Sequence, residues 1–91
     1  MDNIDIILRE YREQIDSIDK EIVYLLSRRF EIVKSVWEIK SKNNVTPLQP
    51  NRWQEVLKKV KENWKEYWVS GDFLDEVWEL IHQEALKIEK K

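Results

Sequence analysis

The sequence LREYREQIDSIDKEIVYLLSRRFEIVKSVWEIK, residues 8–40, decides the fold of this chain. It contains neither glycine nor proline, and the same holds for the whole interval from Asn3 to Lys42. Its apolar residues recur with the spacing of a helix, and this pattern predicts one continuous helix over about residues 3–42. At a rise of 1.5 Å per residue, such a helix is about 60 Å long.

A helix of that length is too long for a single small chain to cover. The chain has 91 residues, and a compact globule of that size has a radius of gyration of about 12 Å, hence a diameter of about 30 Å. Much of the apolar face of the helix therefore has to pack against another copy of the protein. We expect a homodimer in which the helices of the two chains are intertwined.

Two shorter helices are expected after the long one. Residues 43–50 interrupt the helical pattern with both prolines of the chain, and this segment is expected to be an ordered loop. A second helix is predicted over about residues 51–69, with Asn51 as its N-cap. A third is predicted over about residues 72–90, with Asp72 as its cap.

Both shorter helices carry an apolar stripe. The stripe of the second helix ends in two tryptophans, Trp64 and Trp68, and the stripe of the third includes Ile81 and Ala85. We therefore predict an all-α chain that forms a single domain over residues 1–91, with three helices per chain and six in the homodimer.

Composition and charge exclude several classes of function. The formal net charge is −2, with acidic and basic residues interspersed, so the sequence lacks the basic surface typical of a protein that binds nucleic acid or an anionic membrane. No apolar run approaches the roughly 18 residues of a membrane-spanning helix, and the first residues are too acidic for a signal peptide. Since the chain also has no cysteine, we expect it in the cytoplasm.

Residue types that hold metals are scarce. His82 is the only histidine, and neither a cysteine nor a second histidine is available to form a metal site with it. We expect no metal and no cofactor, and we expect His82 to lie at the surface or to pack between helices.

Two cations interrupt the apolar seam of the long helix. Alternate steps of four and three residues from Ile4 to Leu25 meet apolar or aromatic residues, the next step reaches Arg29, and Lys40 lies further along. Arg29 and Lys40 are 11 residues apart, which leaves a rotation of about 20° between them and an axial separation of about 16 Å. Two explanations stay open. Each cation reaches solvent or pairs with a carboxylate, or the two together bind a small anion.

Further residues extend the pattern around these cations. Arg12 precedes the sequence IDSID (residues 15–19), a pair of leucines precedes Arg29, and the sequence PNR (residues 50–52) begins the second helix. Together with Lys40, these pieces resemble the all-helical class of chorismate mutases, and the resemblance covers nearly the whole chain. It implies a six-helix homodimer with two sites, each of which converts the dicarboxylate chorismate into prephenate on the route to phenylalanine and tyrosine.

The resemblance also implies a role for three cations. It assigns Arg29 to one carboxylate of chorismate, Lys40 to the ether oxygen and a carboxylate, and Arg12 of the other chain to the second carboxylate. Helical geometry agrees with the last assignment. Arg12 precedes Arg29 by 17 residues, which is about 25 Å along a straight helix and on another face, so the two arginines of one chain cannot line the same pocket. The reaction is a pericyclic rearrangement, so the protein has to hold a strained substrate and stabilise charge on the breaking ether oxygen.

The remaining site residues implied by the resemblance include three departures from the family. Arg52 would line the hydroxyl side of the pocket, and Gln49 takes the place of a polar loop residue. Trp53 stands where relatives often have a glutamate that contacts the substrate hydroxyl, and it either forms a pocket wall or packs into the core. Ala85 replaces a serine of some relatives, and Glu89 replaces a glutamine of many.

Glu89 as a carboxylate would repel the ether oxygen of the substrate. Our hypothesis is that Glu89 donates a hydrogen bond as a neutral acid, so that activity falls as pH rises and Glu89→Gln flattens this dependence. The alternative is that Glu89 is a solvated charge on a fraying helix end.

Two other functions stay open on the sequence alone. Isochorismate pyruvate lyase shares this fold and a similar cationic pocket, although the length of the loop after Lys40 favours the mutase. A non-catalytic helical module, such as a regulatory subunit, is favoured by Trp53 and Ala85. A chain of this length has no room for the enzyme domains to which such mutases are often fused, so we expect any partner from the shikimate pathway to be a separate chain.

Overall fold

The computed structural model describes residues 2–62 and 66–89. Three α-helices account for most of these residues: α1 (Asp2–Lys42), α2 (Pro50–Lys61) and α3 (Gly71–Glu89). No residue in the described ranges lies in a β-strand, and the prediction of an all-α chain is confirmed. None of the described helices has a stretch that is both long and apolar enough to cross a bilayer.

Helix α1 ends in a tight turn that is built around Lys40. The backbone carbonyl of Lys40 accepts hydrogen bonds from the amides of Asn43 (3.1 Å) and Val45 (2.9 Å). Asn44 takes up a left-handed conformation with φ of 57°, which asparagine tolerates better than most residues. A left-handed residue followed by an amide that bonds back to the last helical turn is typical of the Schellman type of helix end.

Helix α2 begins earlier than predicted. Its N-cap is Gln49, in an extended conformation, and Pro50 occupies the first helical turn, whereas the sequence had suggested Asn51 as the cap. Proline suits the first helical position because its backbone lacks the N–H group that would be left without a partner there.

Helix α2 also ends earlier than predicted, at Lys61 instead of near residue 69. Residues 66–68 form a turn, so the helical periodicity that would have placed Trp68 on the apolar stripe does not extend that far, and its side chain is fully exposed. The prediction for Trp68 is therefore wrong, and Trp64 lies outside the described residues.

Helix α3 is capped by Ser70 and packs against α2. The hydroxyl of Ser70 accepts a hydrogen bond from the amide of Phe73 at 3.2 Å, as an N-cap serine does. Asp72, which the sequence had suggested as the cap, lies instead in the first turn, where its charge is favourable to the helix dipole. An ion pair of 2.9 Å between Lys61 and Asp75 joins α2 to α3, and the buried residues of α3 are Ile81, Ala85 and Glu89.

The chain divides between Ile32 and Val33 into two units. In the first unit, the seam predicted from the sequence is exposed: Ile4, Ile15, Ile18, Ile22 and Leu25 each have at least half of their surface accessible. The second unit contains the end of α1, the loop, α2 and α3.

Candidate active site

The second unit brings two predicted site residues, Lys40 and Glu89, into contact. The ammonium nitrogen Nζ of Lys40 lies 3.6 Å from Oε1 of Glu89, and the two side chains are only 18% and 9% exposed. The same ammonium donates a hydrogen bond of 3.1 Å to the backbone carbonyl of Pro47. A lysine from the end of α1 is therefore fixed between the loop and the last residue of α3.

The local structure around Lys40 explains why its side chain takes this position. Its backbone carbonyl accepts a hydrogen bond from the amide of Val45, and its side chain donates one to the carbonyl of Pro47. Both bonds fix the loop against the end of α1. An ammonium group has three hydrogens to donate. One is directed at Pro47 and the Glu89 carboxylate attracts the group electrostatically, which leaves donor capacity for an oxygen atom of a ligand.

Glu89 is the most buried charged residue in the described part of the chain. Its exposed fraction is 7%, and it is the last residue of α3. This burial does not fit the alternative of a solvated charge on a fraying end. Removing the cationic partner of a buried carboxylate is destabilising, because the free-energy cost of desolvating the carboxylate is then no longer offset.

Trp53 of α2 and His82 of α3 form an aromatic stack in the same unit. Their ring centroids are 4.0 Å apart and their planes are inclined by only 13°, and both residues are half-buried. His82 thus packs between helices, which is one of the two positions expected for it. The sequence gives no signal for this pairing, because it depends on how α2 is rotated against α3.

One face of α3 carries both His82 of the aromatic stack and Glu89 of the ion pair. His82, Ala85 and Glu89 are spaced by three and then four residues, which places them on the same side of a helix. Ala85 is buried between the other two with an exposed fraction of 9%. The stack with Trp53 and the ion pair with Lys40 therefore lie along one side of α3.

Arg52 lies at the surface and pairs within its own helix. Its Nη1 is 2.6 Å from Oε1 of Glu55, and Lys59 lies 3.2 Å from the same oxygen, with all three side chains at least half exposed. The hydrogen bond and charge of Lys59, followed by the charge of Arg52, lower the pKa of Glu55. Gln49 is also exposed and forms no side-chain cap for α2. Within the described residues, neither Arg52 nor Gln49 forms a hydrogen bond or an ion pair with Lys40 or Glu89.

The other two predicted cations belong to the first unit. Arg12 is exposed and Arg29 is half-buried. Their roles opposite Lys40 stay a prediction. Across residues 2–62 and 66–89, no three histidine or acidic residues come close enough to hold a metal ion.

Comparison with known proteins identifies the family to which this helical chain belongs. The family model described as chorismate mutase type II matches residues 11–90. The chain is a member of the chorismate mutase type II family, and the resemblance inferred from its sequence is confirmed.

Relatives of known name agree with this assignment. The bifunctional chorismate mutase/prephenate dehydratase of Aquifex aeolicus is 39% identical over 88 residues, which cover 92% of this chain and 24% of that protein. The T-protein of Enterobacter agglomerans is 31% identical over 78 residues, which cover 86% of this chain and 21% of that protein. The chain thus spans about a quarter or less of the length of these relatives. No solved structure matches it significantly.

Proposed function

We propose that the chain is a chorismate mutase, an isomerase that converts chorismate into prephenate in the biosynthesis of phenylalanine and tyrosine. The observation that carries this proposal is the family match over residues 11–90, which includes every residue assigned to the site. The names of the two relatives support it, since one is a chorismate mutase/prephenate dehydratase.

The reaction breaks the carbon–oxygen bond of the ether and forms a carbon–carbon bond within the same molecule. No proton is transferred and no nucleophile is required, so the protein acts by holding the substrate in a reactive conformation and by stabilising charge. Lys40 is the group that donates to the ether oxygen as negative charge develops on it. Its half-buried position favours this role, because a charge acts more strongly where water is excluded.

Two arginines of α1 bind the two carboxylates of the substrate. Arg29 binds one carboxylate, and Arg12 of a second chain binds the other. The second chain would cover the exposed apolar seam of the first unit, from Ile4 to Leu25, which a monomeric globular protein rarely leaves open. Gln49, Arg52, Trp53 and Ala85 form the remaining wall of the pocket in this proposal.

Glu89 either donates a hydrogen bond to the substrate as a neutral acid or stays ionised as the partner of Lys40. The 3.6 Å separation from Lys40 places the carboxyl group beside the cation that serves the ether oxygen, so both roles act on the same atom of the substrate. The pH dependence of activity distinguishes them.

The proposed setting is the cytoplasm, where prephenate would pass to the next enzyme activity of the pathway. The fusion of a relative with a prephenate dehydratase supports the use of prephenate by such an activity.

The test is the loss of chorismate absorbance together with identification of the product. Prephenate supports the proposal. Pyruvate and salicylate formed from isochorismate would identify a lyase instead, and an inactive protein would identify a non-catalytic module. Lys40→Met should lower kcat/KM by at least about a hundredfold, the usual effect of removing a donor to a developing oxyanion. Lys87→Met is the matched control, because Lys87 lies on the exposed side of α3.

A further inference from the structure

His82, which stacks on Trp53, is a residue of the second unit to which the proposed mechanism gives no role. Trp53 covers one face of the imidazole at 4.0 Å. The two nitrogens of an imidazole lie at its edge, so stacking on a face leaves both available for hydrogen bonds. Within residues 2–62 and 66–89, the side chain of His82 forms this stack and takes part in no hydrogen bond or ion pair.

His82 lies on the same face of α3 as the Glu89 of the candidate site. His82 lies seven residues before Glu89 on the same face of α3, which is about 10 Å along the helix axis. Ala85 lies between them and is buried. Its side chain is a single methyl group, so α3 places no bulky side chain between Glu89 and the imidazole.

The proposed substrate requires a hydrogen-bond acceptor, and few of the other site residues supply one. Besides two carboxylates and an ether oxygen, chorismate has a hydroxyl group on its ring, which donates a hydrogen bond. Lysine, arginine and the indole of tryptophan are donors only, and alanine has no polar group. Gln49 has an amide oxygen that accepts, but its side chain is exposed, and the acceptor oxygens of Glu89 lie beside the cation Lys40, at 3.6 Å. A neutral imidazole offers a nitrogen that accepts.

We infer that His82 binds the ring hydroxyl of the substrate and is the residue that makes the site specific for a hydroxylated ring, an inference that rests on the proposed mutase function. Trp53 is then a positioning residue, because its stacked indole fixes the plane of the imidazole and thereby the direction of its nitrogens. Relatives often have a glutamate at the position of Trp53, and this glutamate contacts the substrate hydroxyl. In this chain His82 of α3 makes that contact instead.

The experiment compares chorismate with an analogue whose ring hydroxyl is replaced by hydrogen. Values of kcat/KM for both compounds are measured in the wild-type protein and in His82→Phe, which keeps a flat ring on Trp53 but has no acceptor. Gln83→Ala, at an exposed neighbouring position of α3, is the matched control. Circular dichroism establishes that each variant is folded, and His82→Leu replaces His82→Phe if the larger ring disturbs packing.

His82→Phe should lower kcat/KM for chorismate by about tenfold, the factor that corresponds to one neutral hydrogen bond, and leave the value for the analogue unchanged. Gln83→Ala should alter neither. If His82→Phe lowers both values equally, or if the wild-type protein does not discriminate between the compounds, the inference is overturned while the mutase function stands. If the wild-type protein converts neither compound, the proposed function fails and the inference fails with it.

Discussion

The ion pair of Lys40 with Glu89 should contribute measurably to the free energy of unfolding, and a double-mutant cycle tests this. The cycle consists of Lys40→Met, Glu89→Leu and the variant that carries both changes. At 3.6 Å and an effective dielectric constant of about 20, the attraction between the two charges is about 5 kcal/mol before desolvation is counted. Desolvation offsets much of this for a pair that is mostly withdrawn from water. We expect a coupling energy of about 2 kcal/mol, within the range found for residues in contact.

The single variants should differ in a characteristic way. Lys40→Met leaves a buried carboxylate without its cation and should cost about 3 kcal/mol. Glu89→Leu should cost less, because the side chain of Lys40 is 18% exposed and its ammonium keeps the hydrogen bond to Pro47. The double variant should lose less than the sum of the two. Urea unfolding, followed by tryptophan fluorescence at a fixed protein concentration, provides the values.

A second ion pair on α3 provides the control. Lys87 and Glu84 are 3.7 Å apart, almost the same separation, but their side chains are 72% and 55% exposed. Exposed pairs of this kind are worth less than about 0.5 kcal/mol. If the coupling between Lys40 and Glu89 is no larger than that between Lys87 and Glu84, burial does not strengthen the pair, and our reasoning about the site is refuted.

Three further predictions concern pH and assembly. If Glu89 acts as a neutral acid, kcat/KM falls as pH rises and Glu89→Gln flattens the profile; an unchanged profile would show that Glu89 is not the donor. Because Lys59 and Arg52 lower the pKa of Glu55 from 4.5, its stabilising effect is present above that value and is lost as pH falls below it. Glu55→Gln should therefore lower the melting temperature slightly at pH 7 and not at pH 3, and an equal loss at both would contradict this. Ile18→Asp should convert the proposed homodimer to monomer in sedimentation experiments, whereas a wild-type protein that sediments as a monomer would exclude the dimer.

The sequence predicts the helices of this protein better than their ends. The absence of glycine and proline before residue 43 defines α1, because helical periodicity persists without a breaker. The position of a helix cap is harder to predict, because neighbouring residues are often equally suitable. Ser70 and Asp72 are both good N-cap residues, and the hydrogen bond from Phe73 to Ser70 decides between them. The end of α2 at Lys61 had no glycine or proline to indicate it.

Some features of the candidate site could likewise be predicted from the sequence and others could not. Helical phase places Glu89 on the buried side of α3, and the structure agrees. Phase along one helix does not specify which residue of another helix lies opposite, because that depends on packing between helices. The stack of Trp53 on His82 therefore could not be predicted, whereas the proximity of Glu89 to Lys40 was implied by the family resemblance, which places both at the ether oxygen. The pairing of Arg52 with Glu55 has the three-residue spacing at which helical side chains meet, and this signal was present in the sequence.

The two bonds that Lys40 makes to the loop have a consequence for protein engineering. The main chain from Lys40 to Pro47, closed by the lysine side chain, forms a ring of fixed circumference. Residues inserted inside this ring, for example after Asn44, would enlarge it and release the ammonium from its place. Residues inserted after Leu48, which is half exposed and lies outside the ring, would leave the ammonium where it is. A peptide tag or fluorophore site is therefore better grafted after Leu48 than at the apex of the turn.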